Sequence, residues 1–434
     1  MGMTDGWRLE PGGQVRGTLT LPGDKSISHR ALLIAALAEG SSRLDGVLDS
    51  EDCRATAQAL AQLGMEIRET SPGSWLVEGR GPDGLQAPEA PLDLGNSGTA
   101  MRLLCGLLAA RPFPATLTGD ASLSQRPMER VAGPLREMGA RIETDSGRPP
   151  IRIDGGPLQG TTYRPPVASA QVKSALLLAG LQAQGRTCLT EAEPSRDHTE
   201  RMLPLFGADC EVDGARICIE GGQALHGADV TVPRDLSAAA FFIVGALIAP
   251  DSELKLPSVG INPRRDGVLQ VLRQMGAELD IDAIDPVGRE PVADITVRSS
   301  ALTCIDIGPD LVANAIDEFP VLCIAAACAQ GTTTLTGVGE LRIKESDRVA
   351  AMAEGLGTLG VPVEVDDDSV RITGQPMGGG TIQSHRDHRI AMAFAVASLA
   401  ASEPIIVEGA QWVATSFPGF SDLAQQAGMR LHDA

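Results

Sequence analysis

Leu135-Arg-Glu-Met-Gly-Ala-Arg-Ile142 decides the fold, because it is one of six copies of the same short pattern. In each copy a helix-like segment ends at a glycine, and a short β-like run follows. The six glycines recur at intervals of about 70 residues: Gly64, Gly139, Gly207, Gly276, Gly360 and Gly428. A glycine directly after a helix favours a left-handed C-terminal cap. So long a period predicts compact α/β units rather than a solenoid of shorter repeats.

Each unit also contains a second helix-like segment that is rich in Ala and Leu. These segments span 26–38, 97–110, 169–183, 237–249, 319–329 and 388–401. They are apolar on nearly every face, which is typical of buried helices. Six units divide naturally into two lobes of three, and the break falls near 232–236, where a short hinge is expected.

Composition excludes several classes of function. The chain has 434 residues, with 36 Lys and Arg against 56 Asp and Glu, and its net charge of −20 disfavours nucleic acid or an anionic membrane as a partner. No apolar run approaches the about 20 residues of a spanning helix, and the N-terminus does not resemble a signal peptide. Eight cysteines without a CxxC pair predict buried free thiols. We therefore expect a cytoplasmic enzyme.

Polar residues gather where the buried helices begin. The segments are Pro22-Gly-Asp-Lys-Ser-Ile-Ser-His-Arg30, Gly95-Asn-Ser-Gly-Thr99, Ser169-Ala-Gln171, Lys344-Glu-Ser-Asp-Arg348 and Asp387-His-Arg389. Helix N-termini with free N–H groups and added cations bind anions. Each segment alone fits an ordinary cap or turn. Their recurrence predicts a shared cleft for phosphate and carboxylate groups.

Two other sites are disfavoured by spacing. Gly17 to Lys25 does not match a Walker A loop. His385 and His388 form an HxxH pair without a third ligand, so no metal site is expected.

The chain resembles the 5-enolpyruvylshikimate-3-phosphate synthase family from about Leu9 to Leu431. The motifs that carry the resemblance are PGDKSISHRALLIAALAEG, LGNSGTAMRLL, SLSQRPMERV, SAQVKSALLLAGL, PSRDHTERML, IKESDRVAAM and DHRIAMAFAVA. The resemblance implies a two-lobed inside-out α/β barrel with three βαβαββ repeats in each lobe. Lobe 1 would comprise 1–22 and 236–434, and lobe 2 would comprise 23–235, with hinges near 20–24 and 232–237. The N-terminal strand would join the C-terminal lobe.

The implied reaction moves the enolpyruvyl group of phosphoenolpyruvate to the 5-hydroxyl of shikimate 3-phosphate and releases phosphate. It proceeds by addition and elimination through a tetrahedral intermediate, without a metal or organic cofactor. The resemblance also implies a monomer and inhibition by glyphosate in competition with phosphoenolpyruvate. Because the matching residues fall in both lobes, we expect the lobes to close on shikimate 3-phosphate.

The resemblance assigns roles residue by residue. Shikimate 3-phosphate would be held by Lys25, Ser26, Arg30, Ser169, Gln171, Ser195, Arg196, Asp317 and Lys344. Phosphoenolpyruvate would be held by Lys25, Gly98, Arg126, Gln171, Arg348 and Arg389. Asp317 would be the general base and Glu345 would protonate the methylene carbon, with Lys25 a further candidate for the acid.

Three positions depart from part of the family. Ala414 stands where certain members carry Lys, Glu340 where some carry Asn, and His198 where some carry Tyr. These departures affect the fine set of ligands rather than the reaction.

The sequence disfavours three other functions. The enolpyruvyl transferase that acts on UDP-N-acetylglucosamine usually has a Cys before its Arg-Pro pair, whereas this chain has no Cys between Cys105 and Cys188. A non-catalytic sensor of phosphorylated metabolites would not need Asp317 and Glu345. A relative of RNA 3′-phosphate cyclases is disfavoured by the acidic charge.

Overall fold

The structure is a computed structural model that describes residues 6–434. The chain divides into two compact units. Unit 1 comprises the described residues up to Pro22, together with Pro233–Asp285 and Pro291–Ala434. Unit 2 comprises Gly23–Val232 and Pro286–Glu290. The resemblance placed residues 286–290 in lobe 1, whereas in the structure they belong to unit 2. Glu290 contacts unit 2 directly, since its Oε1 lies 2.7 Å from Nδ1 of His198, the first residue of the helix His198–Met202.

Residues 6–434 form 24 strands and 13 α-helices. The strands, numbered in chain order, are β1 (Gly6–Leu9), β2 (Arg16–Thr18), β3 (Glu39–Asp45), β4 (Glu66–Ser71), β5 (Ser74–Arg80), β6 (Leu92–Asp93), β7 (Pro114–Thr118), β8 (Arg141–Asp145), β9 (Arg148–Asp154), β10 (Thr162–Tyr163), β11 (Arg186–Thr190), β12 (Cys210–Asp213), β13 (Arg216–Glu220), β14 (Val230–Thr231), β15 (Glu253–Gly260), β16 (Glu278–Val287), β17 (Glu290–Arg298), β18 (Asp306–Ile307), β19 (Thr332–Thr336), β20 (Val363–Val365), β21 (Ser369–Thr373), β22 (Gly380–Gln383), β23 (Ile405–Glu408) and β24 (Leu431–Asp433).

The helices, numbered in the same way, are α1 (Lys25–Leu37), α2 (Glu51–Gln62), α3 (Gly98–Leu108), α4 (Glu129–Glu137), α5 (Ala170–Gly180), α6 (His198–Met202), α7 (Leu236–Ile248), α8 (Gly267–Gln274), α9 (Pro309–Asn314), α10 (Phe319–Cys328), α11 (Arg348–Thr358), α12 (His388–Ala397) and α13 (Phe420–Ala427).

Six four-stranded sheets share one topology, and three belong to each unit. Unit 2 has the orders β14-β3-β5-β4, β6-β7-β9-β8 and β10-β11-β13-β12. Unit 1 has β16-β17-β15-β2, β18-β19-β21-β20 and β22-β23-β1-β24. In the second sheet of unit 2, β6 and β7 are parallel, and β9 pairs antiparallel with both β7 and β8. With α3 and α4 this gives the predicted βαβαββ unit. As the resemblance implied, β1 joins the C-terminal sheet of its unit, between β23 and β24.

The six glycines that defined the repeat all adopt left-handed backbone conformations. Their φ angles lie between 87° at Gly360 and 106° at Gly139. At Gly207 and Gly428 the glycine is the C-cap residue itself, and its N–H bonds back to the preceding turn. The predicted caps are therefore confirmed.

The apolar helices form the centre of each unit. In unit 2, α3 packs against α1 and α5, and in unit 1 α7, α10 and α12 pack against one another. Nearly every residue of α1 and α7 is buried, as the all-round apolar pattern predicted. Fully burying a Leu or Ile side chain contributes about 1.5–3 kcal/mol, so the burial of these helices stabilises each unit. No helix within residues 6–434 is both long and apolar enough to cross a membrane.

The prediction of buried free thiols is wrong in part. Cys188 and Cys218 lie opposite each other on β11 and β13 and form a disulfide. Cys304 is exposed, whereas Cys53 and Cys105 are buried, and burial raises the pKa of both thiols to about 12. Cys188 and Cys218 are brought together by the register of β11 and β13, which the spacing of cysteines in the sequence does not reveal.

Candidate active site

The beginnings of the three buried helices of unit 2 are in contact. Arg30, one turn into α1, donates from Nη2 to Ser174 Oγ on α5 at 2.8 Å. Gln171, in the first turn of α5, donates from Nε2 to Thr99 Oγ1 in the first turn of α3 at 2.9 Å. The predicted gathering of these polar segments is therefore present within unit 2.

Lys25 and Ser26 open α1, which is capped by Asp24 through its bond from Ile27 N. The Lys25 ammonium lies 3.0 Å from Asp52 Oδ2 on α2. Asp52 is not among the predicted site residues, because nothing local to α2 distinguishes it from the acidic residues that stabilise the N-terminus of any helix.

Arg30 is buried and bound mainly to its own unit. Its Nε donates to Thr199 Oγ1 at 2.9 Å, and its Nη1 donates to the Ser26 carbonyl at 2.9 Å. Burial lowers the pKa of Arg30 to about 10, against the opposing effect of Glu200. The guanidinium is therefore charged at neutral pH and fixed in position.

Gly98 lies against two guanidinium groups. A Cβ atom at Gly98 would be 3.0 Å from Arg102 Nη1 and 3.1 Å from Arg126 Nη1. Arg126 Nη2 donates to Asn96 Oδ1 at 2.7 Å, which ties it to the same turn. Two cations at one helix start, with no side chain between them, suit an anion.

Arg102 is a candidate that the sequence argument missed. Its Nη1 donates to Gln171 Oε1 at 2.6 Å, and its Nη2 donates to the Pro127 carbonyl at 3.3 Å. It thereby joins the predicted residues Gln171 and Gly98. The sequence does contain one indication of this role, because Arg102 lies four residues after Gly98 and therefore on the same face of the helix.

The turn before α3 differs from expectation. The sequence predicted free N–H groups there, but Ser97 N bonds to Leu94 O, and Gly98 N bonds to Asn96 O. Ala100 N bonds to the Ser97 hydroxyl at 3.2 Å. Because the cap and the turn already bind these N–H groups, an anion at this helix start would be held mainly by the side chains of Arg102 and Arg126.

Ser169, Ser195 and Arg196 complete the predicted set in unit 2. Ser169 caps α5 and accepts from Val172 N at 3.4 Å. The Ser195 hydroxyl donates to the Glu191 carboxylate. Arg196 is close enough to Arg30 to contribute to lowering its pKa, so the loop before α6 reaches the start of α1.

The helix beginnings of unit 1 also meet. Ser237, in the first turn of α7, donates to the carboxylate of Glu318, which precedes α10. Arg389, in the first turn of α12, donates from Nη1 to the carbonyl of Asp317 at 2.9 Å. Each unit therefore has one polar cluster at its helix starts.

Arg348 is the centre of the unit 1 cluster. Its Nε lies 2.8 Å from Asp387 Oδ2, its Nη2 2.7 Å from Glu345 Oε2, and its Nη1 3.6 Å from Asp317 Oδ1. Burial acts to lower the pKa of Arg348, but the three carboxylates outweigh it and raise that pKa above its ordinary value. Nη1 makes no hydrogen bond within the described part of the chain.

Asp317 and Glu345, the predicted base and acid, share this guanidinium. Their side chains are 20% and 19% exposed, whereas that of Arg348 is 1% exposed. Arg389 Nη2 lies 4.0 Å from Asp317 Oδ2. Two partly exposed carboxylates thus lie on one buried guanidinium. Lys344 directly precedes Glu345 and follows the 3-10 turn Gly339–Ile343 that contains Glu340.

The remaining singled-out positions are structural in their contacts. His385 Nε2 lies 3.0 Å from Glu354, and His388 Nδ1 lies 3.4 Å from Thr415 Oγ1. Ala414 is buried in the 3-10 turn Ala410–Thr415. Across residues 6–434, no three or more His, Cys, Asp or Glu side chains are grouped as metal ligands.

Comparison with known proteins identifies the family to which the chain belongs. The family profile of EPSP synthase (3-phosphoshikimate 1-carboxyvinyltransferase) matches residues 9–423. A 3-phosphoshikimate 1-carboxyvinyltransferase of Halorhodospira halophila is 57% identical over 428 residues, or 98% of this chain and 96% of that protein. One of Acidithiobacillus ferrooxidans is 54% identical over 426 residues, or 98% of each protein. The solved EPSP synthase of Acinetobacter baumannii has a TM-score of 0.88 at 49% identity, covering 98% of this chain and 99% of that chain.

The fold and the relatives together define a transferase built from two α/β units. The chain belongs to the EPSP synthase family. The predicted fold class, enzyme class and family resemblance are confirmed. The matches favour neither the UDP-N-acetylglucosamine enzyme nor a non-catalytic sensor.

Proposed function

We propose that the chain transfers the enolpyruvyl group of phosphoenolpyruvate to the 5-hydroxyl of shikimate 3-phosphate and releases phosphate. The observation that carries this proposal is the cluster around Arg348. One buried guanidinium holds two partly exposed carboxylates, Asp317 and Glu345, beside the second cation Arg389. This arrangement supports the proposal, because it would place an acid and a base beside cations that can hold an anionic substrate.

The proposed chemistry has two balanced steps. In the addition, Asp317 takes the proton of the 5-hydroxyl, its oxygen bonds to C2 of phosphoenolpyruvate, and Glu345 or Lys25 gives a proton to C3. In the elimination, the bond from C2 to the phosphate oxygen breaks and the phosphate takes the proton held by Asp317. The group that protonated C3 takes a proton back from the C3 methyl group, and the C2–C3 double bond forms again. Both steps move only protons and a phosphate leaving group, so the proposal needs no cofactor.

Substrate binding is assigned to both clusters. We assign Lys25, Ser26, Arg30, Ser169, Gln171, Ser195 and Arg196 of unit 2, and Asp317 and Lys344 of unit 1, to shikimate 3-phosphate. We assign Lys25, Gly98, Arg126, Gln171, Arg348 and Arg389 to phosphoenolpyruvate, and we add Arg102. The support is that guanidinium forks suit phosphate and carboxylate, and that Arg102, Arg126 and Gln171 are linked through the start of α3.

Phosphate release tests the function. Phosphoenolpyruvate is supplied with shikimate 3-phosphate or with UDP-N-acetylglucosamine, and phosphate is measured. We expect release only with shikimate 3-phosphate and its loss in Asp317→Ala, with exposed Asp310→Ala as the matched control. Release with UDP-N-acetylglucosamine would assign the chain to the rival reaction. Binding of shikimate 3-phosphate without any release would indicate a sensor.

We also propose that the protein acts as a monomer in the cytoplasm. Both proposed substrates are phosphorylated metabolites, which membranes retain. The exposed large apolar side chains in the described range, Val167, Val212, Ile284, Ile343 and Val365, lie on separate elements, so they offer little to a second copy. Light scattering coupled to size exclusion tests the oligomeric state, and a dimer mass would contradict the proposal.

A further inference from the structure

Lys173 is a buried ammonium group that the proposed chemistry does not use. Its side chain is 0% exposed, and it lies on α5 two residues after Gln171. Its Nζ lies 2.8 Å from Glu191 Oε2, 2.8 Å from Glu200 Oε1 and 3.2 Å from the Ser195 carbonyl oxygen. The ammonium donates hydrogen bonds to Glu191 Oε2 and to the Ser195 carbonyl, whereas Glu200 pairs with it by charge alone.

Glu191 holds the same serine from its other side. Its Oε2 accepts from Ser195 N at 3.2 Å, and its Oε1 accepts from the Ser195 hydroxyl. The N–H, hydroxyl and carbonyl of Ser195 are therefore all held by the pair Lys173 and Glu191. This fixes the loop 191–197 between β11 and α6 at the residue that precedes Arg196.

The energetic cost of this cluster indicates a role beyond stability. Burying one ammonium with two carboxylates carries a desolvation penalty that often cancels the Coulombic gain, and an apolar replacement of similar volume is often as stable. An apolar replacement would not reproduce the hydrogen bonds that Lys173 and Glu191 make with Ser195. The geometric consequence, a loop held rigidly beside the start of α1, is specific to these residues.

We propose that Lys173 and Glu191 are positioning residues that hold loop 191–197 so that Arg196 binds the phosphate of shikimate 3-phosphate. The inference rests on the proposed function for the identity of this ligand. It also changes the part assigned to Ser195. Because that hydroxyl gives its single proton to Glu191, Ser195 acts through the loop, and Arg196 is the donor that meets the phosphate.

Glu191 and Glu200 provide a matched pair of variants. Both carboxylates lie 2.8 Å from the same ammonium, and Glu191 in addition accepts hydrogen bonds from the N–H and the hydroxyl of Ser195. In Glu191→Gln we expect the KM and the Kd for shikimate 3-phosphate to rise about tenfold, while kcat and the KM for phosphoenolpyruvate stay within about twofold. In Glu200→Gln we expect a comparable fall in Tm, with the KM for shikimate 3-phosphate within about twofold. Ser195→Ala leaves both ion pairs intact and should raise the same KM by a smaller factor.

The outcomes separate the two proposals. If the wild-type chain turns over and Glu191→Gln behaves like Glu200→Gln in every constant, the cluster is merely structural and the inference is overturned. An unchanged KM in both Glu191→Gln and Ser195→Ala overturns it as well. If the wild-type chain neither binds shikimate 3-phosphate nor releases phosphate, the proposed function itself fails, and the ligand named here fails with it.

Discussion

Asp387 and Arg348 form a fully buried ion pair in which the carboxylate has two tasks. Asp387 Oδ2 accepts from Arg348 Nε at 2.8 Å, while its Oδ1 accepts from Arg389 N at 2.9 Å and caps α12. One side chain thus fixes the first turn of α12 and the central guanidinium of the unit 1 cluster. Two of the four arginines that we assign to phosphoenolpyruvate, Arg348 and Arg389, therefore depend on it.

Asp387→Asn should uncouple these two tasks. Asn is a good N-cap, so the cap on α12 is retained, whereas Arg348 loses a buried charge partner. Removing one partner of a buried pair costs about 3–5 kcal/mol, and we expect a lower Tm together with an at least tenfold higher KM for phosphoenolpyruvate. Asp347→Asn is the control, because Asp347 caps α11 through Ala350 N but is exposed. Equal effects of the two variants on KM would argue against the role given to Asp387.

Gly98→Ala tests whether the start of α3 must stay open. The added Cβ would meet Arg102 and Arg126 at 3.0 and 3.1 Å, so both guanidinium groups must shift by a few tenths of an ångström. We expect a several-fold higher KM for phosphoenolpyruvate, and a larger loss of inhibition by glyphosate. Gly133→Ala on α4 is the control, because its Cβ would meet nothing within 4 Å. Equal losses for substrate and inhibitor would refute this account of the room beside Gly98.

Much of the architecture was predictable because it depends on local chemistry. The cap glycines, the all-round apolar helices and their polar first turns each follow from residues adjacent in sequence, and all were found. The partners of those first turns were less accessible. Arg102 and Gln171 are 69 residues apart, and nothing near either residue predicts their contact, because tertiary packing creates it.

The errors have the same origin. Cys188 and Cys218 pair because β11 and β13 are adjacent and in register, which a survey of cysteine spacing cannot show. The apolar pattern of 169–183 does not reveal that Lys173 is buried as a charged group. Its charge is compensated by Glu191 and Glu200, which come from later segments of the chain. Arg348 was expected mainly to bind substrate, whereas it also carries three carboxylates of its own unit.

The disulfide predicts how many cysteines will react with a thiol reagent. In denaturant without reductant, six of the eight cysteines should react with a thiol reagent, since Cys188 and Cys218 are bonded. Reduction before labelling should raise the count to eight, and the double variant Cys188→Ser/Cys218→Ser should give six under both conditions. A count of eight before reduction would show that the two thiols are free in the protein as purified.

His29 should make stability depend on pH below neutrality. Burial, together with the charges of Lys25 and Arg30, lowers the pKa of His29 to about 3, and its Nδ1 lies 2.7 Å from Thr56 Oγ1. The unfolded chain binds a proton at the ordinary pKa of about 6.5, so the unfolded state gains protons first as the pH falls. The contribution of His29 is therefore complete above pH 6.5 and is lost between about 6.5 and 3, at about 1.4 kcal/mol per pH unit.

His29→Asn isolates this contribution, because an Asn side chain can keep the bond to Thr56 without titrating. We expect urea unfolding of the wild type to lose stability faster than that of the variant between pH 6 and pH 4, by about 2–3 kcal/mol over the interval. Above pH 7 the two curves should run parallel, since the imidazole is neutral in both states. Parallel curves down to pH 4 would mean that His29 takes up a proton in the folded protein near its ordinary pKa, which would contradict this account.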